Sequence, residues 1–235
     1  MRRTCIAALL ALTALGAARP AAGKAKAKIY ILPAGSVPAA DMASITRALT
    51  AFYSVEIRRL PRIELPKKAY YRPRSRYRAD KLLDHVESLK LPQDGRTILV
   101  VTAAPISITK GKIYDWGIIG YVAIGGEICA YSTYYAKRFT KDAAHAQQRV
   151  AKIAVHEFAH NLGLKHCPHR GCLMEDAQGT PLVFDRVHDF CPRCRAALDK
   201  LGWPAPTGHV IPWPRPEPGA GPTDAYLRQL RKRWQ

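Results

Sequence analysis

The chain has 235 residues, 48% of them hydrophobic and 23% charged, which is the composition of an ordinary globular protein with one substantial core. Its 37 Lys and Arg residues against 18 Asp and Glu give a formal charge of +19, a surplus that favours acidic partners or keeps an exported protein soluble. Because the basic residues are scattered and no nucleic-acid-binding motif accompanies them, we expect no specific nucleic-acid partner.

The first 23 residues have the pattern of a secretory signal peptide. Arg2 and Arg3 form a positive start, an apolar run spans residues 6–18, and small residues up to Gly23 offer cleavage positions. The run is too short to span a bilayer, although an uncleaved N-terminal anchor is the alternative. No later stretch is long and apolar enough to cross a membrane. We therefore expect an exported chain, periplasmic or secreted, with no transmembrane segment after cleavage.

Residues 24–203 have the alternating patterns of one folded domain, in which short apolar runs predict strands and periodic apolar residues predict helices. The predicted elements, in chain order, are a strand at 29–32, a helix at 39–52, a strand at 54–59, a loop at 67–78, a helix at 79–89, strands at 97–102, 117–122 and 126–133, a long helix at 141–162, a loop-rich stretch at 165–191, a short helix at 192–201, and a Pro-rich linker with a basic tail at 204–235. This order indicates an α+β domain with α/β-like alternation.

The long predicted helix, residues 141–162, contains the motif H-E-x-x-H. Residues four apart project from the same helix face, so the imidazoles of His156 and His160 can reach one metal ion. Gly163 allows the chain to reverse after the helix, and His166 can then supply a third nitrogen. Three protein ligands with one open position are typical of a catalytic rather than a structural zinc site.

Glu157 lies beside the two histidines and is the predicted general base, because it can accept a proton from the water molecule that attacks a carbonyl. The sequence therefore predicts a zinc-dependent peptidase acting on a peptide or protein substrate. One alternative is a non-catalytic zinc-binding module that binds peptides or regulates. Another is a basic nucleic-acid-binding protein that happens to carry zinc, an interpretation that depends on net charge alone.

Four cysteines follow the third histidine in two close pairs separated by an 18-residue gap: Cys167, Cys172, Cys191 and Cys194. This spacing is typical of a tetrahedral zinc site with four thiolate ligands, in which nearby His169 or His188 could replace a ligand. Two disulfides are the alternative in an exported protein, although a C-x-x-C disulfide closes a tight and easily reduced loop. Cys129 is interpreted as a buried thiol in a strand.

The run HEFAHNLGLKHCPHRGCLM, followed by CPRC, resembles the archaemetzincins. In that family H-E-x-x-H-x-x-G-x-x-H is followed at once by Cys, then by C-x-M and C-x-x-C. Every specified position matches, including Met174. The signal peptide and the Pro-rich basic tail depart from a family that is usually considered intracellular.

The resemblance implies a metzincin-type fold, in which a twisted mixed sheet packs on the active-site helix and a methionine turn at Met174 supports a zinc held by three histidines. It also implies a second zinc at the four cysteines, making two per chain, and peptide hydrolysis as an aminopeptidase or endopeptidase. A peptide would lie along an edge strand, for which residues 126–133 are the candidate. We expect a monomer with a metallopeptidase domain at residues 24–203.

Overall fold

The computed structural model describes residues 27–91, 97–122 and 126–233. The predicted signal peptide, residues 1–23, lies outside these residues. The described chain forms two mixed β-sheets and six α-helices, with a long helix packed on the larger sheet. The predicted α+β fold is therefore confirmed.

The larger sheet has five strands in the spatial order β2-β1-β5-β9-β8. In that order the strands are Val55–Arg59, Ala27–Ala34, Thr97–Thr102, Ile128–Ser132 and Gly120–Val122. The first four run parallel to one another, and β8 runs antiparallel to β9. The prediction that residues 126–133 form the edge strand is wrong, because β9 pairs with β5 on one side and with β8 on the other. Within the described residues the two outer strands of this sheet are β2 and β8, and β8 is the one next to β9.

The smaller sheet has four strands in the order β3-β4-β6-β7, which are Tyr70–Tyr71, Arg76–Arg78, Ile106–Lys110 and Ile113–Ile118. The predicted loop at 67–78 therefore contains two short strands, and cross-strand ring contacts such as Tyr70 with Tyr77, 5.1 Å between centroids, support their pairing. The predicted strand at 117–122 is two strands. β7 ends in one sheet and β8 begins in the other, with Ile119 between them.

The six helices are Ala39–Phe52 (α1), Ala79–Ser88 (α2), Thr133–Ala136 (α3), Ala143–Asn161 (α4), Pro192–Lys200 (α5) and Asp224–Arg233 (α6). They cover the larger sheet on both faces, because alternate strand residues point in opposite directions. Ile29 and Ile31 of β1 pack in the core that contains α1 and α4, whereas Tyr30 and Leu32 pack with α2. No helix within the described residues has the length and apolar character needed to cross a membrane.

The chain beyond α5 returns to the domain surface. Residues 204–222 contain no helix or strand, and the Trp213 ring stacks on Phe52 with 5.1 Å between centroids. The indole nitrogen of Trp213 donates a hydrogen bond to the carbonyl of His188 over 3.0 Å, and Leu227 of α6 is buried in the main core. The C-terminal segment is thus packed on the rest of the fold.

Candidate active site

Helix α4 carries two of the three histidines and ends at Asn161, one residue after the second of them. The Asp142 side chain caps its start by accepting a hydrogen bond from the backbone N–H of His145 over 2.8 Å. At the other end, Gly163 has a φ of +102°, its N–H bonds to the carbonyl of His160, and the next N–H, of Leu164, bonds to the carbonyl of Ala159. This pair of bonds is the Schellman motif, which only a left-handed residue permits. It turns the chain back toward the helix in time for His166.

The three predicted histidine ligands converge. The Nε2 atoms of His156 and His160 are 3.1 Å apart, and one nitrogen from each of the three rings lies within 4.8 Å of the others. The ring centroid of His166 is 4.7 Å from that of His160 and 5.5 Å from that of His156. This spacing suits three ligands around a single ion.

Backbone carbonyls orient two of these rings. The Nδ1 atoms of His156 and His160 lie 2.6 Å from the carbonyl oxygens of Leu173 and Leu164, respectively. With Nδ1–H donating to a carbonyl, Nε2 keeps its lone pair for a metal ion. Burial, helped by the neighbouring imidazoles, lowers the pKa of His156 well below its usual range, and burial also lowers the pKa of His160. Both rings are therefore held in the neutral form that a metal ligand requires.

Glu157 is buried beside the histidines and faces the edge strand β8. A Cβ atom added to Gly120 would lie less than 3.0 Å from all three atoms of the Glu157 carboxylate group, so glycine is needed for the strand to approach this closely. Burial raises the pKa of Glu157 to about 8. A nearby metal cation would lower this pKa toward neutrality, the range suited to a general base.

A cleft of about 530 Å³ opens over the histidines. One wall is the continuous segment of β7 and β8 from Trp116 to Val122, and the other includes Phe184 and the turn at Gln178 and Gly179. Glu157 and all three histidines line this cleft. The arrangement presents a metal-binding group and a buried carboxylate to a substrate-sized space.

The four predicted cysteine ligands also converge, in a separate cluster. Their sulfur atoms all lie within 4.8 Å of one another, and those of Cys167 and Cys191 are 3.7 Å apart, far beyond a covalent S–S bond. All four are free thiols, and neither His169 nor His188 belongs to the group. Burial raises the pKa of the Cys172 thiol to about 11, and the backbone N–H groups of Met174 and Cys191, which donate to its sulfur over 3.4 and 3.3 Å, partly oppose this rise. Four such sulfurs match a structural zinc site.

Met174 is fully buried in the main core. Its carbonyl accepts a hydrogen bond from the N–H of Cys167 over 2.7 Å, which closes the loop that follows His166. The preceding carbonyl, of Leu173, is the one that orients His156. The segment from Cys172 to Met174 therefore touches both groups of candidate metal ligands.

Sequence reasoning missed several residues that shape the site. Gly120 and Phe184 gave no chemical signal, although an isolated glycine inside a predicted strand does indicate a close approach of another group. The carbonyls of Leu164 and Leu173 could not be found, because any residue type supplies a backbone carbonyl.

A histidine triad closed by a helix-ending glycine, on an α+β fold with a buried glutamate, defines the metzincin class of zinc metallopeptidases. The model of peptidase family M54 matches residues 43–200. The chain belongs to this family and is a zinc metallopeptidase.

Individual archaemetzincins show the same relationship. The archaemetzincin of Halobacterium salinarum is 25% identical over 180 residues, which cover 73% of this chain and 99% of that protein. The crystal structure of the Archaeoglobus fulgidus archaemetzincin, complexed with malonate, is 30% identical with a TM-score of 0.60, covering 72% of this chain and 98% of that one. The Methanopyrus kandleri structure has 23% identity and a TM-score of 0.65, with 77% and 98% covered, and shows the shared fold.

Proposed function

We propose that the chain hydrolyses peptide bonds with a catalytic zinc held by His156, His160 and His166, and with Glu157 as the general base. The observation that carries this proposal is the convergence of three imidazole nitrogens within 4.8 Å on the floor of a 530 Å³ cleft that the Glu157 carboxylate also lines. When bound, zinc supplies Lewis-acid chemistry that activates water and polarises the scissile carbonyl.

The protein's own groups prepare the reaction. The carbonyls of Leu173 and Leu164 fix the tautomer and the orientation of two ligand rings. Glu157 takes the proton of the attacking water and delivers it to the departing amine, and its buried position against Gly120 holds the carboxylate in one place. Aromatic and aliphatic side chains, among them Phe184 and Ile118, line the cleft beside these groups.

The substrate backbone is proposed to pair with strand β8, Gly120–Val122. β8 is one of the two outer strands of the larger sheet in the described chain, and it lines the cleft. An edge strand offers N–H and C=O groups to an extended peptide, while pockets between alternate side chains provide selectivity. Matched peptides with a free or an acetylated N-terminus would distinguish an aminopeptidase from an endopeptidase by their cleavage rates.

The decisive test is the substitution Glu157→Gln. Zinc content should be retained, because no ligand is changed, while kcat for a peptide substrate should fall by a factor on the order of 10² to 10⁴. Glu217→Gln, at an exposed position in the C-terminal segment, is the matched control and should leave kcat unchanged. Unchanged hydrolysis in Glu157→Gln would remove Glu157 from the mechanism and favour a non-catalytic zinc module.

We further propose a second, structural zinc at Cys167, Cys172, Cys191 and Cys194. Its basis is the compact group of four free sulfurs, separate from the histidines. Elemental analysis of the purified chain should give two zinc ions, falling to one in Cys172→Ser/Cys194→Ser. A single zinc in the chain that begins near Lys24, with only the Cys129 thiol found by titration after unfolding, would instead indicate two disulfides.

We also propose that the chain is exported and that it is a monomer. Export is supported by the signal-peptide pattern of residues 1–23. N-terminal sequencing of the protein from its native host should find a chain beginning near Lys24, and light scattering should give a mass close to that of one chain. An intact N-terminus in a cytoplasmic fraction would contradict the export proposal.

A further inference from the structure

The smaller sheet presents a strongly basic surface. Six cations surround its outer strands and are exposed: Lys67, Lys68, Arg72, Arg74, Lys110 and Lys112. Tyr71 and Tyr114 lie among them, and Tyr114 is 48% exposed. We call these eight residues the basic tyrosine face.

Acidic residues do not offset this charge locally. Residues 58–78 contain nine Lys and Arg but one acid, Glu64, and residues 106–118 contain two Lys and one acid, Asp115. Both acids have other partners, since Glu64 pairs with Arg62 and Asp115 with Arg76. Within the part of the chain that the structure describes, no carboxylate forms an ion pair with any of the six cations. The positive charge of the face is therefore available to an outside partner.

The face is held in shape by ring contacts. The Tyr71 and Tyr114 rings meet edge to face with 5.3 Å between centroids, and the guanidinium of buried Arg78 lies 4.3 Å from the centre of the Tyr114 ring. These contacts fix the segment that carries Arg72 and Arg74 beside the β6–β7 turn that carries Lys112. The cations of this segment and those of the β6–β7 turn therefore lie close to one another.

The face also adjoins the catalytic cleft. Lys110 places its Nζ atom 4.4 Å from the centre of the Trp116 ring, and Trp116 is one of the residues lining the cleft. Strand β7, one of the two outer strands of the smaller sheet in the described chain, continues through Ile119 into β8. A polypeptide extended along β8 would leave the cleft beside Trp116 and pass onto the basic tyrosine face.

We propose that the basic tyrosine face binds an acidic segment of the polypeptide substrate, on one side of the scissile bond. The inference rests on the proposed peptidase function and adds a substrate class, polypeptides with Asp- or Glu-rich flanks. A polypeptide is favoured over a nucleic acid because the face continues a strand edge that enters the cleft, and that edge matches an extended peptide backbone. Carboxylates would meet the six cations, and the tyrosine hydroxyls would donate further hydrogen bonds.

The face should act mainly on the rate of productive encounter. Its cations are exposed, so each individual ion pair contributes little, whereas a single-sign field beside a cleft raises association rates and is screened by salt. We therefore expect a preference that is large at low ionic strength and small at high ionic strength.

The experiment compares peptides that share one cleaved core and carry four Glu or four Gln residues, placed before or after it. For the zinc-loaded full chain in about 0.05 M salt, kcat/KM should be roughly tenfold higher with the Glu flank on one of the two sides. The difference should largely disappear in about 0.5 M salt. Equal kcat/KM for all four peptides would overturn the inference while leaving the peptidase function intact.

Two charge variants locate the effect. Lys68→Gln/Arg72→Gln/Arg74→Gln/Lys112→Gln should abolish the preference for Glu flanks and leave cleavage of the Gln peptides unchanged, which also shows that the variant is folded. The matched control removes four exposed cations elsewhere, Arg193→Gln/Lys200→Gln/Arg215→Gln/Arg228→Gln. If the control loses the preference as fully as the first variant, net charge and not this face is responsible.

A binding measurement tests the basic tyrosine face independently of catalysis. Fluorescence anisotropy of a labelled Glu-flanked peptide on the Glu157→Gln variant should show binding that the charge variant of the face loses. Binding without any cleavage by the unmodified chain would refute the peptidase proposal and retain the acidic docking face. If a single-stranded oligonucleotide of equal charge displaces the peptide at lower concentration than the unlabelled peptide does, the choice of a polypeptide is overturned.

Discussion

Gly120 determines how closely strand β8 can approach the catalytic helix. Helical spacing and the glycine after the helix predict that all three histidines and Glu157 belong to one site. Both features act through local geometry, which the sequence shows directly. The contact between Glu157 and Gly120, in contrast, cannot be predicted from local geometry. Gly120 lies 37 positions earlier in the chain. Only the packed structure shows that the Glu157 carboxylate fills the space that a side chain at position 120 would occupy.

We expect Gly120→Ala to reduce kcat by at least about a hundredfold, because the new Cβ atom would displace the Glu157 carboxylate and misplacement of a catalytic group has costs of this size. Zinc content should be unchanged. Steady-state kinetics and elemental analysis check both. Gly111→Ala is the control, at a turn where an added Cβ atom would have no other atom within 4 Å, and it should keep full kcat despite its positive φ. Full activity in Gly120→Ala would show that Glu157 can move without loss.

At the scale of elements, helix α4 is anchored by a partly buried ion pair, in which Arg149 is buried and Asp185 is partly exposed. Arg149, in the middle of the helix, donates to both carboxylate oxygens of Asp185 over 2.5 and 2.7 Å and to the carbonyl of Arg138 over 2.5 Å. His145, one turn earlier, lies 2.7 Å from the same carboxylate. Because Phe184 beside it lines the cleft, this pair links the helix to the cleft wall.

The Asp185 pair should make stability depend on pH in acid. Burial opposes ionisation of Asp185, but hydrogen bonds from Arg149 and His145 outweigh it and hold the pKa of the carboxyl below its usual value. A lowered pKa in the folded state contributes stability above the unfolded pKa of about 3.9, and this contribution disappears as the pH falls through the folded pKa. In urea unfolding, the free energy difference between the unmodified chain and Asp185→Asn should therefore be largest near neutral pH and shrink below about pH 4.

Asp199→Asn, at an exposed position of α5, is the control for this titration and should follow the unmodified chain at every pH. A difference between the unmodified chain and Asp185→Asn that stays constant from pH 7 to 3 would show that the ionised carboxylate contributes nothing.

The edge strand illustrates what local patterns cannot provide. The strands β8 and β9 were both predicted as strands, but residues 126–133 were assigned to the edge. Which of two neighbouring strands is outermost depends on pairing with β5, a contact between residues about 30 positions apart along the chain. The short strands β3 and β4 were missed because tyrosine–arginine alternation broken by proline has no apolar periodicity.

For the whole molecule, the C-terminal segment adds to the main core. Trp213 is 6% exposed and packs on Phe52, a residue of α1. Composition predicted an extended linker there, because proline and glycine dominate residues 204–222. Composition could not show that single aromatic residues in such a stretch would find sites on the folded domain.

Trp213→Ala should lower the free energy of unfolding by about 3 kcal/mol, as is usual when a buried aromatic side chain is truncated. Because Trp213 lies outside the cleft, kcat/KM measured well below the melting temperature should be unchanged. Urea unfolding and kinetics provide the two readouts. Val210→Ala, in the same segment but with Val210 73% exposed, should change stability by less than about 0.5 kcal/mol. Equal stability of both variants would show that the segment does not support the fold.

The short stretch from Cys172 to Met174 has a consequence for how long the enzyme would remain active under oxidising conditions. Oxidising surroundings attack thiols, and Cys172 is bonded directly to the residue whose carbonyl steers His156. Oxidation of the Cys172 sulfur, which does not contact substrate, would therefore displace the His156 ring, which does. Hydrolysis would be lost although every catalytic group is chemically intact.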